Sequence, residues 1–221
     1  MVNIETYISQ LITLLQQQFD NRLLYVGLQG SYLRGEATEH SDLDIMVVID
    51  KLTAADLDHY RSIIQSMDHY EKSCGFICSK ADLANWNPLE IWNLLNGTKD
   101  YFGELSNLVP AYTDEDIRVF TKLSINNLYH ELCHRYIHAS ESQNIAALPG
   151  TYKGVFFILQ HLSYLKHGIY TPTKAELLNL LVEKDRTVLE RSIALSKGIT
   201  FDFTDSFNLL FTWCQETLES L

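Results

Sequence analysis

Residues 27–48 read GLQGSYLRGEATEHSDLDIMVV and form the most informative stretch of the chain. Asp42 and Asp44 stand two residues apart at the start of an apolar, β-prone run, so on a strand both carboxylates point to one face. There they can hold one or two hard divalent cations. Upstream, Gly30 lets a ligand approach the backbone, and Ser31 with the first amides of the following helix can donate to an anion. A phosphate cradle beside a magnesium site is what phosphoryl transfer requires.

The segments around this stretch predict an α/β arrangement. Apolar residues at helical spacing predict an amphipathic helix over Ile4–Phe19 and another at residues 57–67. Short β-prone runs predict strands at residues 22–28, 43–50 and Ser73–Ser79. Strands that alternate with helices indicate a small mixed sheet with flanking helices in the first half of the chain.

The second half of the chain shows no strand signal from about residue 114 onward. Four helical patterns and two loops follow, with helices at 115–139, 153–167, 174–184 and 207–218 and loops at 148–150 and 171–172. This change of pattern predicts a domain boundary near residues 110–114. We expect an α/β catalytic domain at 1–112 and an all-α helical bundle at 113–221.

Composition and charge exclude several classes of partner. The chain has 17 basic and 28 acidic residues, a net charge of −11, which disfavours binding to nucleic acid or anionic membranes and suits a cationic ligand. The four cysteines contain no CxxC pair, so reduced thiols are a better interpretation than a structural zinc site. No signal-like start and no apolar run of membrane-spanning length occurs, and we expect a cytoplasmic protein.

The order of Gly30-Ser31, Gly35 and the SDLD motif at residues 41–44 resembles the signature of the nucleotidyltransferase superfamily that shares the DNA polymerase β fold. The resemblance implies an enzyme that transfers a nucleoside monophosphate, here AMP from ATP, to an acceptor hydroxyl. It implies Asp42 and Asp44 as catalytic ligands of one or two Mg²⁺ ions. It also implies Gly30, Ser31 and Ser41 as nucleotide-binding residues.

A second segment, residues 152–176, is similar to bacterial streptomycin and spectinomycin adenylyltransferases, as is the run TKDYFGEL at 98–105. In those enzymes a helical C-terminal domain closes over the catalytic domain. The resemblance to them implies a small cationic, aminoglycoside-like acceptor. Thr173 and Glu176 fit a capping box, so Lys174 is the first helical residue, where the helix dipole disfavours a cation. Together with the resemblance, this position suggests that Lys174 contacts the nucleotide phosphates.

The chain departs from the superfamily pattern at the third carboxylate, which a neighbouring strand usually supplies as metal ligand or general base. The strand Ser73–Ser79 contains none, and Glu71 just before it is the nearest candidate. Without an acid at that position, the protein could act slowly, use Glu131 of the helical domain as its base, or bind nucleotide without turnover. The last case would make it a regulatory, antitoxin-like relative.

A rival motif lies further along the chain. His130, Glu131 and His134 fit the HExxH pattern, in which two histidines of one helix face bind zinc and the glutamate acts as base. That reading predicts a zinc metallopeptidase. It lacks an extended metzincin pattern and an obvious third ligand, so we rank it below nucleotidyl transfer.

Overall fold

A computed structural model describes residues 2–221 of the chain. By its internal contacts the chain forms two compact units, Met1–Tyr112 and Thr113–Leu221. The first unit combines a small mixed sheet with helices, and the second consists of helices. The predicted fold class is therefore confirmed.

The first unit is a four-stranded sheet with helices packed on both faces. Its elements are α1 (Ile4–Phe19), β1 (Leu23–Leu28), α2 (Gly30–Leu33), β2 (Leu43–Ile49), α3 (Ala54–Gln65), β3 (Ser73–Ser79), α4 (Lys80–Ala84), α5 (Pro88–Asn96) and β4 (Lys99–Phe102). The strand order is β3-β2-β1-β4. β1 runs antiparallel to β2 and β4, whereas β3 runs parallel to β2, so the sheet is mixed.

Strand β2 divides its side chains between two cores. Leu43, Ile45 and Val47 are buried in the cluster that contains the apolar face of α1. Met46 and Val48 are buried in a second cluster on the other face, with residues of β1, β3 and α4. Because side chains alternate along a strand, Asp44 lies on the Met46 face, near the beginning of β2.

Most elements of this unit match the prediction. Helix α1 and strand β3 begin and end at the predicted residues, and β1 and β2 differ from prediction by one residue. Helix α3 begins earlier than predicted because Thr53 and Asp56 form a capping box, in which each side chain bonds the backbone amide of the other at 2.9 and 3.3 Å. The strand β4 was not predicted.

The second unit consists of six helices around one apolar core. They are α6 (Asp114–His138), α7 (Glu141–Lys153), α8 (Val155–His167), α9 (Lys174–Leu180), α10 (Glu183–Ser196) and α11 (Phe203–Ser220). Among residues 114–221 no strand occurs. No helix in the described part of the chain is long and apolar enough to span a membrane.

Two predictions in this unit were wrong. The expected loop at residues 148–150 lies inside α7, which contains Pro149; the helix starts at a Ser140–Gln143 capping box and buries Leu148 and Tyr152. These contacts outweigh the local cost of a proline in a helix. The expected helix at 174–184 is two helices, because α9 ends at Leu180 and α10 begins at Glu183, whose φ of 50° breaks the helical path.

Candidate active site

The turn between β1 and α2 brings Gly30 against Asp44. Gly30 has a φ of +71°, and a Cβ placed on it would lie 1.9 Å from Asp44 Oδ2. The amide of Gln29 donates to the Asp44 carbonyl oxygen at 2.8 Å, which fixes the turn beside the beginning of β2. Glycine suits this position because it adopts the left-handed backbone without strain and has no Cβ to clash with the Asp44 carboxylate. The Asp44 side chain is therefore held at the start of α2, where the first-turn amides have no partner within the helix.

Asp42 immediately precedes β2 and is exposed, whereas Asp44 is partly buried. Strand β2 begins at Leu43, so Asp44 lies on the strand and Asp42 lies one residue before it. Both nevertheless act on the same neighbour, the thiol of Cys74 on β3. Cys74 is exposed, but partial desolvation raises the pKa of its thiol, and the carboxylates of Asp44 and Asp42 raise it further. Both aspartates of the motif therefore lie within electrostatic range of Cys74.

Ser31 and Ser41 hold the loop that joins α2 to β2. The Ser31 carbonyl oxygen accepts a hydrogen bond from the Glu36 amide at 2.9 Å. The Ser41 hydroxyl accepts one from the Thr38 amide at 2.9 Å, so that side chain braces the loop directly before Asp42. The half-buried Ser31 lies in the first turn of α2, next to Gly30, as the proposed phosphate cradle requires.

Cys74 occupies the position on β3 beside Asp44, and no sequence motif marks it as a site residue. Asp44 and Cys74 are register partners in the parallel pair of β2 and β3. The next residue, Gly75, has a φ of +106°, and a Cβ on it would lie 2.1 Å from the Ile45 carbonyl oxygen. β3 therefore approaches β2 closely at this point and presents a thiol, not a carboxylate, to Asp44.

Glu71, the predicted candidate for the third carboxylate, lies two residues before β3 in a short 3₁₀ turn and is exposed. Its carboxylate is 3.9 Å from His69 Nδ1. Burial raises the pKa of the Tyr7 phenol on α1, and Glu71 adds to that rise. The Tyr7 hydroxyl hydrogen-bonds Ser73, the neighbour of Cys74. Glu71 is thus associated with α1, and Cys74 is the β3 side chain that meets Asp44.

The donor set of this site fits magnesium bound together with substrate phosphates. Among residues 2–221, no group of three or more His, Cys, Asp or Glu side chains is arranged to hold a metal ion. Asp42 and Asp44 offer hard carboxylate oxygens beside a glycine turn. Mg²⁺ commonly uses one or two carboxylates and completes its shell with water and phosphate oxygens, so two aspartates are a sufficient protein contribution.

One hydrogen bond joins the glycine turn to the residue before β4, and a second joins β1 to β4 itself. Gln29 Nε2 donates to Thr98 Oγ1 at 2.8 Å. The Tyr25 hydroxyl donates to Asp100 Oδ1 at 2.5 Å, and burial raises the pKa of Tyr25. The first of these contacts places Thr98, the beginning of the TKDYFGEL run, beside Gln29. Gln29 and Thr98 therefore support the turn, and the sequence did not identify them as a pair because 69 positions separate them.

Lys174 is the first residue of α9 in the second unit and is half-buried. Its Nζ lies 5.8 Å from the ring centroid of the buried Phe156. The Thr173 hydroxyl accepts a hydrogen bond from the Glu176 amide at 3.2 Å, which is one half of the predicted capping box. The position at the start of the helix is as predicted, and its role in binding nucleotide remains a prediction.

The HExxH residues lie on exposed turns of α6. The ring centroids of His130 and His134 are 6.1 Å apart, and Glu131 accepts a 3.4 Å hydrogen bond from Thr151 on α7. His138 continues the row, 4.8 Å from His134 between ring centroids. A catalytic zinc site requires three protein ligands. Among the described residues, no such group is arranged to hold a metal ion here.

Comparison with known proteins agrees with this geometry. Residues 8–96 match the family model described as "Nucleotidyltransferase domain". Among solved structures, the chain is similar to spectinomycin adenyltransferase AAD(9) from Enterococcus faecialis, solved with ATP and spectinomycin. The TM-score is 0.60 at 16% sequence identity, over 98% of this chain and 100% of the other. No match was found among curated proteins.

These findings confirm the expected resemblance. Residues 8–96 match a nucleotidyltransferase domain, and this range contains the glycine turn, both aspartates and Cys74. The structural likeness extends the shared fold to the helical unit.

Proposed function

We propose, on the premise that residues 8–96 form a nucleotidyltransferase domain, that this chain transfers AMP from ATP to a hydroxyl of a small cationic acceptor of the aminoglycoside type. The observation that carries the proposal is the contact of Gly30 with the Asp44 carboxylate. This contact supports the proposal because the Asp44 carboxylate lies beside the first amides of a helix, so that one turn could bind both a metal ion and the triphosphate.

In this mechanism, Asp42 and Asp44 would hold Mg²⁺, which would supply positive charge against the charge that develops on the phosphate oxygens. The amides after Gly30 and the Ser31 hydroxyl bind the triphosphate, and Ser41 keeps the loop before Asp42 in place. The acceptor hydroxyl attacks the α-phosphorus in line, the bond to the bridging oxygen of the pyrophosphate breaks, and pyrophosphate leaves. Lys174 would contact the triphosphate from the helical unit.

Charge and cysteine chemistry support the acceptor class and the location. The net charge of −11 favours a cationic acceptor over nucleic acid or an anionic membrane. The four cysteines are free, which suits a reducing compartment. We therefore place the reaction in the cytoplasm, where ATP and Mg²⁺ are available.

Cys74 favours a second candidate function, nucleotide binding without efficient turnover. An attacking hydroxyl reacts faster when a base accepts its proton, and the β3 side chain next to Asp44 is a thiol with a raised pKa. A protein of this kind would bind ATP and Mg²⁺ and act as a regulatory, antitoxin-like relative. The zinc peptidase hypothesis ranks lower, since His130 and His134 have no third ligand among the described residues.

Acceptor-dependent pyrophosphate release separates these candidates. The protein is incubated with Mg²⁺, ATP and a panel that pairs aminoglycosides and aminocyclitols with neutral sugars of similar size. Release with cationic acceptors, and not with neutral sugars or with Asp44→Asn, supports the transferase. Tight ATP binding with no release from any acceptor would support the regulatory candidate. Failure to bind ATP with Mg²⁺ would contradict both.

A further inference from the structure

Three histidines form a row along the last turns of helix α6, outside the nucleotidyltransferase domain. His130, His134 and His138 are spaced four residues apart, so each lies about one helical turn from the next on the same side of the helix. All three are exposed. Neutral imidazole is a side chain that nickel, copper and zinc ions readily bind. The row therefore offers two neighbouring pairs of imidazoles as candidate metal ligands.

The distances between the rings distinguish the two pairs. The ring centroids of His134 and His138 are 4.8 Å apart, whereas those of His130 and His134 are 6.1 Å apart. A metal ion bound about 2.0–2.1 Å from one ring nitrogen lies roughly 3.2 Å from the centroid of that ring. Two imidazoles at the right-angled or tetrahedral positions of one ion then have centroids roughly 4.5–5.2 Å apart. His134 and His138 have this spacing, and His130 and His134 do not.

An open cavity of about 550 Å³ between α6 and α7 gives an ion at this pair room for further ligands. His134 and His138 line the cavity, and His130 does not. None of the lining residues lies within residues 8–96, so the cavity is distinct from the candidate active site. Among the described residues, no third His, Cys, Asp or Glu completes a metal-binding group with this pair. Water or a small anion therefore fills the other positions around an ion bound here.

The charges around the pair act in both directions. His138 is the last residue of α6, and the carboxyl-terminal end of a helix carries a partial negative charge that attracts cations. Arg135 also lines the cavity, and its positive charge opposes a metal ion. Because Arg135 is partly exposed, solvent and salt weaken this repulsion. Binding therefore depends on coordination by two imidazoles, which excludes Mg²⁺, an ion that takes oxygen ligands.

We propose that His134 and His138 bind one divalent transition-metal ion of the class of Ni²⁺, Cu²⁺ and Zn²⁺. The ion joins two successive turns at the end of α6, because helical backbone is what brings residues four positions apart into this spacing. Its binding therefore stabilises the folded helical unit. The site uses no residue of the nucleotidyltransferase domain, so it does not depend on nucleotidyl transfer.

Binding is tested on the full chain with Ni²⁺ as the probe, in excess Mg²⁺ so that oxygen ligands elsewhere are occupied. Isothermal titration measures the dissociation constant, and paramagnetic broadening of NMR signals locates the ion. We expect one Ni²⁺ bound at the end of α6, with broadening centred on residues 134–138. The melting temperature is expected to rise with Ni²⁺ concentration.

Variants test which pair of histidines holds the ion. His134→Ala and His138→Ala each leave a single imidazole of the pair and should weaken Ni²⁺ binding by about tenfold or more. In both variants the rise in melting temperature should be lost. The matched control is His130→Ala, which removes an exposed histidine of the same row and should change the affinity by less than about twofold.

Two results would overturn the proposal. One is an equal loss of Ni²⁺ affinity in His130→Ala and His138→Ala, because the spacing of the rings would then not select the pair. The other is broadening centred on the exposed thiol of Cys74 and not on the end of α6. Because the three histidines are exposed, all the alanine variants are expected to fold, and each result can be read.

Discussion

Replacing Gly30 by alanine perturbs the one contact on which the candidate active site most depends. At Gly30 the backbone has a φ of +71°, and an added Cβ would lie 1.9 Å from Asp44 Oδ2. Gly35, in the same segment, has a φ of +68°, but a Cβ there would meet nothing within 4 Å. The two substitutions therefore share the backbone strain and differ in the contact with Asp44.

The magnitudes follow from this difference. A non-glycine residue in the left-handed region costs about 1–2 kcal/mol, and roughly 4–8 °C of melting temperature per kcal/mol applies to a domain of about 100 residues. Gly35→Ala should show this loss alone. In Gly30→Ala the Cβ must also separate from Asp44 by about 1 Å, since real Cβ contacts do not fall below 3.0 Å. A displacement of that size at a reacting centre costs on the order of 100-fold in rate.

The assay combines thermal unfolding with acceptor-dependent pyrophosphate release. Both variants are expected to melt below the wild type, and only Gly30→Ala is expected to lose about 100-fold in kcat/KM. The reasoning would be refuted if both variants lost activity equally. It would also be refuted if Gly30→Ala kept a rate within a few-fold of Gly35→Ala.

Three further outcomes are expected. Lys174→Ala should weaken binding of a non-hydrolysable ATP analogue by about 1.5–3 kcal/mol in isothermal titration, whereas replacement of the exposed Lys197 by alanine should not. Equal affinities of the wild type and Lys174→Ala would show that Lys174 does not bind the nucleotide. Cys74→Glu should raise the rate of AMP transfer without tightening ATP binding, because it supplies a base beside Asp44, and an unchanged or lower rate would show that the thiol position is not used. Burial lowers the pKa of His161 to about 4, so as pH falls below about 6.5 the unfolded state binds a proton that the folded state does not, and the free energy of unfolding should drop by about 3 kcal/mol between pH 6.5 and 4. His161→Phe keeps an aromatic ring against Phe120 and should flatten the dependence of the unfolding free energy on pH in this range. A pH dependence parallel to that of the wild type would exclude His161 as its cause.

Local sequence signals predicted the parts of the fold that local physics controls. The spacing of apolar residues placed α1 at Ile4–Phe19, and the β-prone run placed β3 at Ser73–Ser79. β4 escaped prediction because Lys99 and Asp100 give its four residues no apolar alternation, and pairing with β1 forms it. Pro149 led to the prediction of a loop at residues 148–150. The residue lies inside α7 instead, because burial of Leu148 and Tyr152 stabilises the helix.

In the candidate site, too, residues close in sequence were predicted and a residue distant in sequence was not. Gly30, Asp42 and Asp44 are close in sequence, so their spacing alone predicted a shared site. Cys74 meets Asp44 only through the register of two parallel strands, 30 positions apart. No local pattern marks such a residue, and the search for a carboxylate near β3 led to Glu71, which lies with Tyr7 and His69 instead.

The central claim is that Asp42 and Asp44 support transfer of AMP to a small cationic acceptor. The most direct measurement is mass spectrometry of the acceptor after incubation with ATP and Mg²⁺, for the wild type and for Asp42→Asn and Asp44→Asn. We predict an acceptor that gains one AMP with the wild type only, while all three proteins keep similar melting temperatures. An acceptor modified equally by an aspartate variant, or unmodified by the wild type although ATP binds, would contradict the claim.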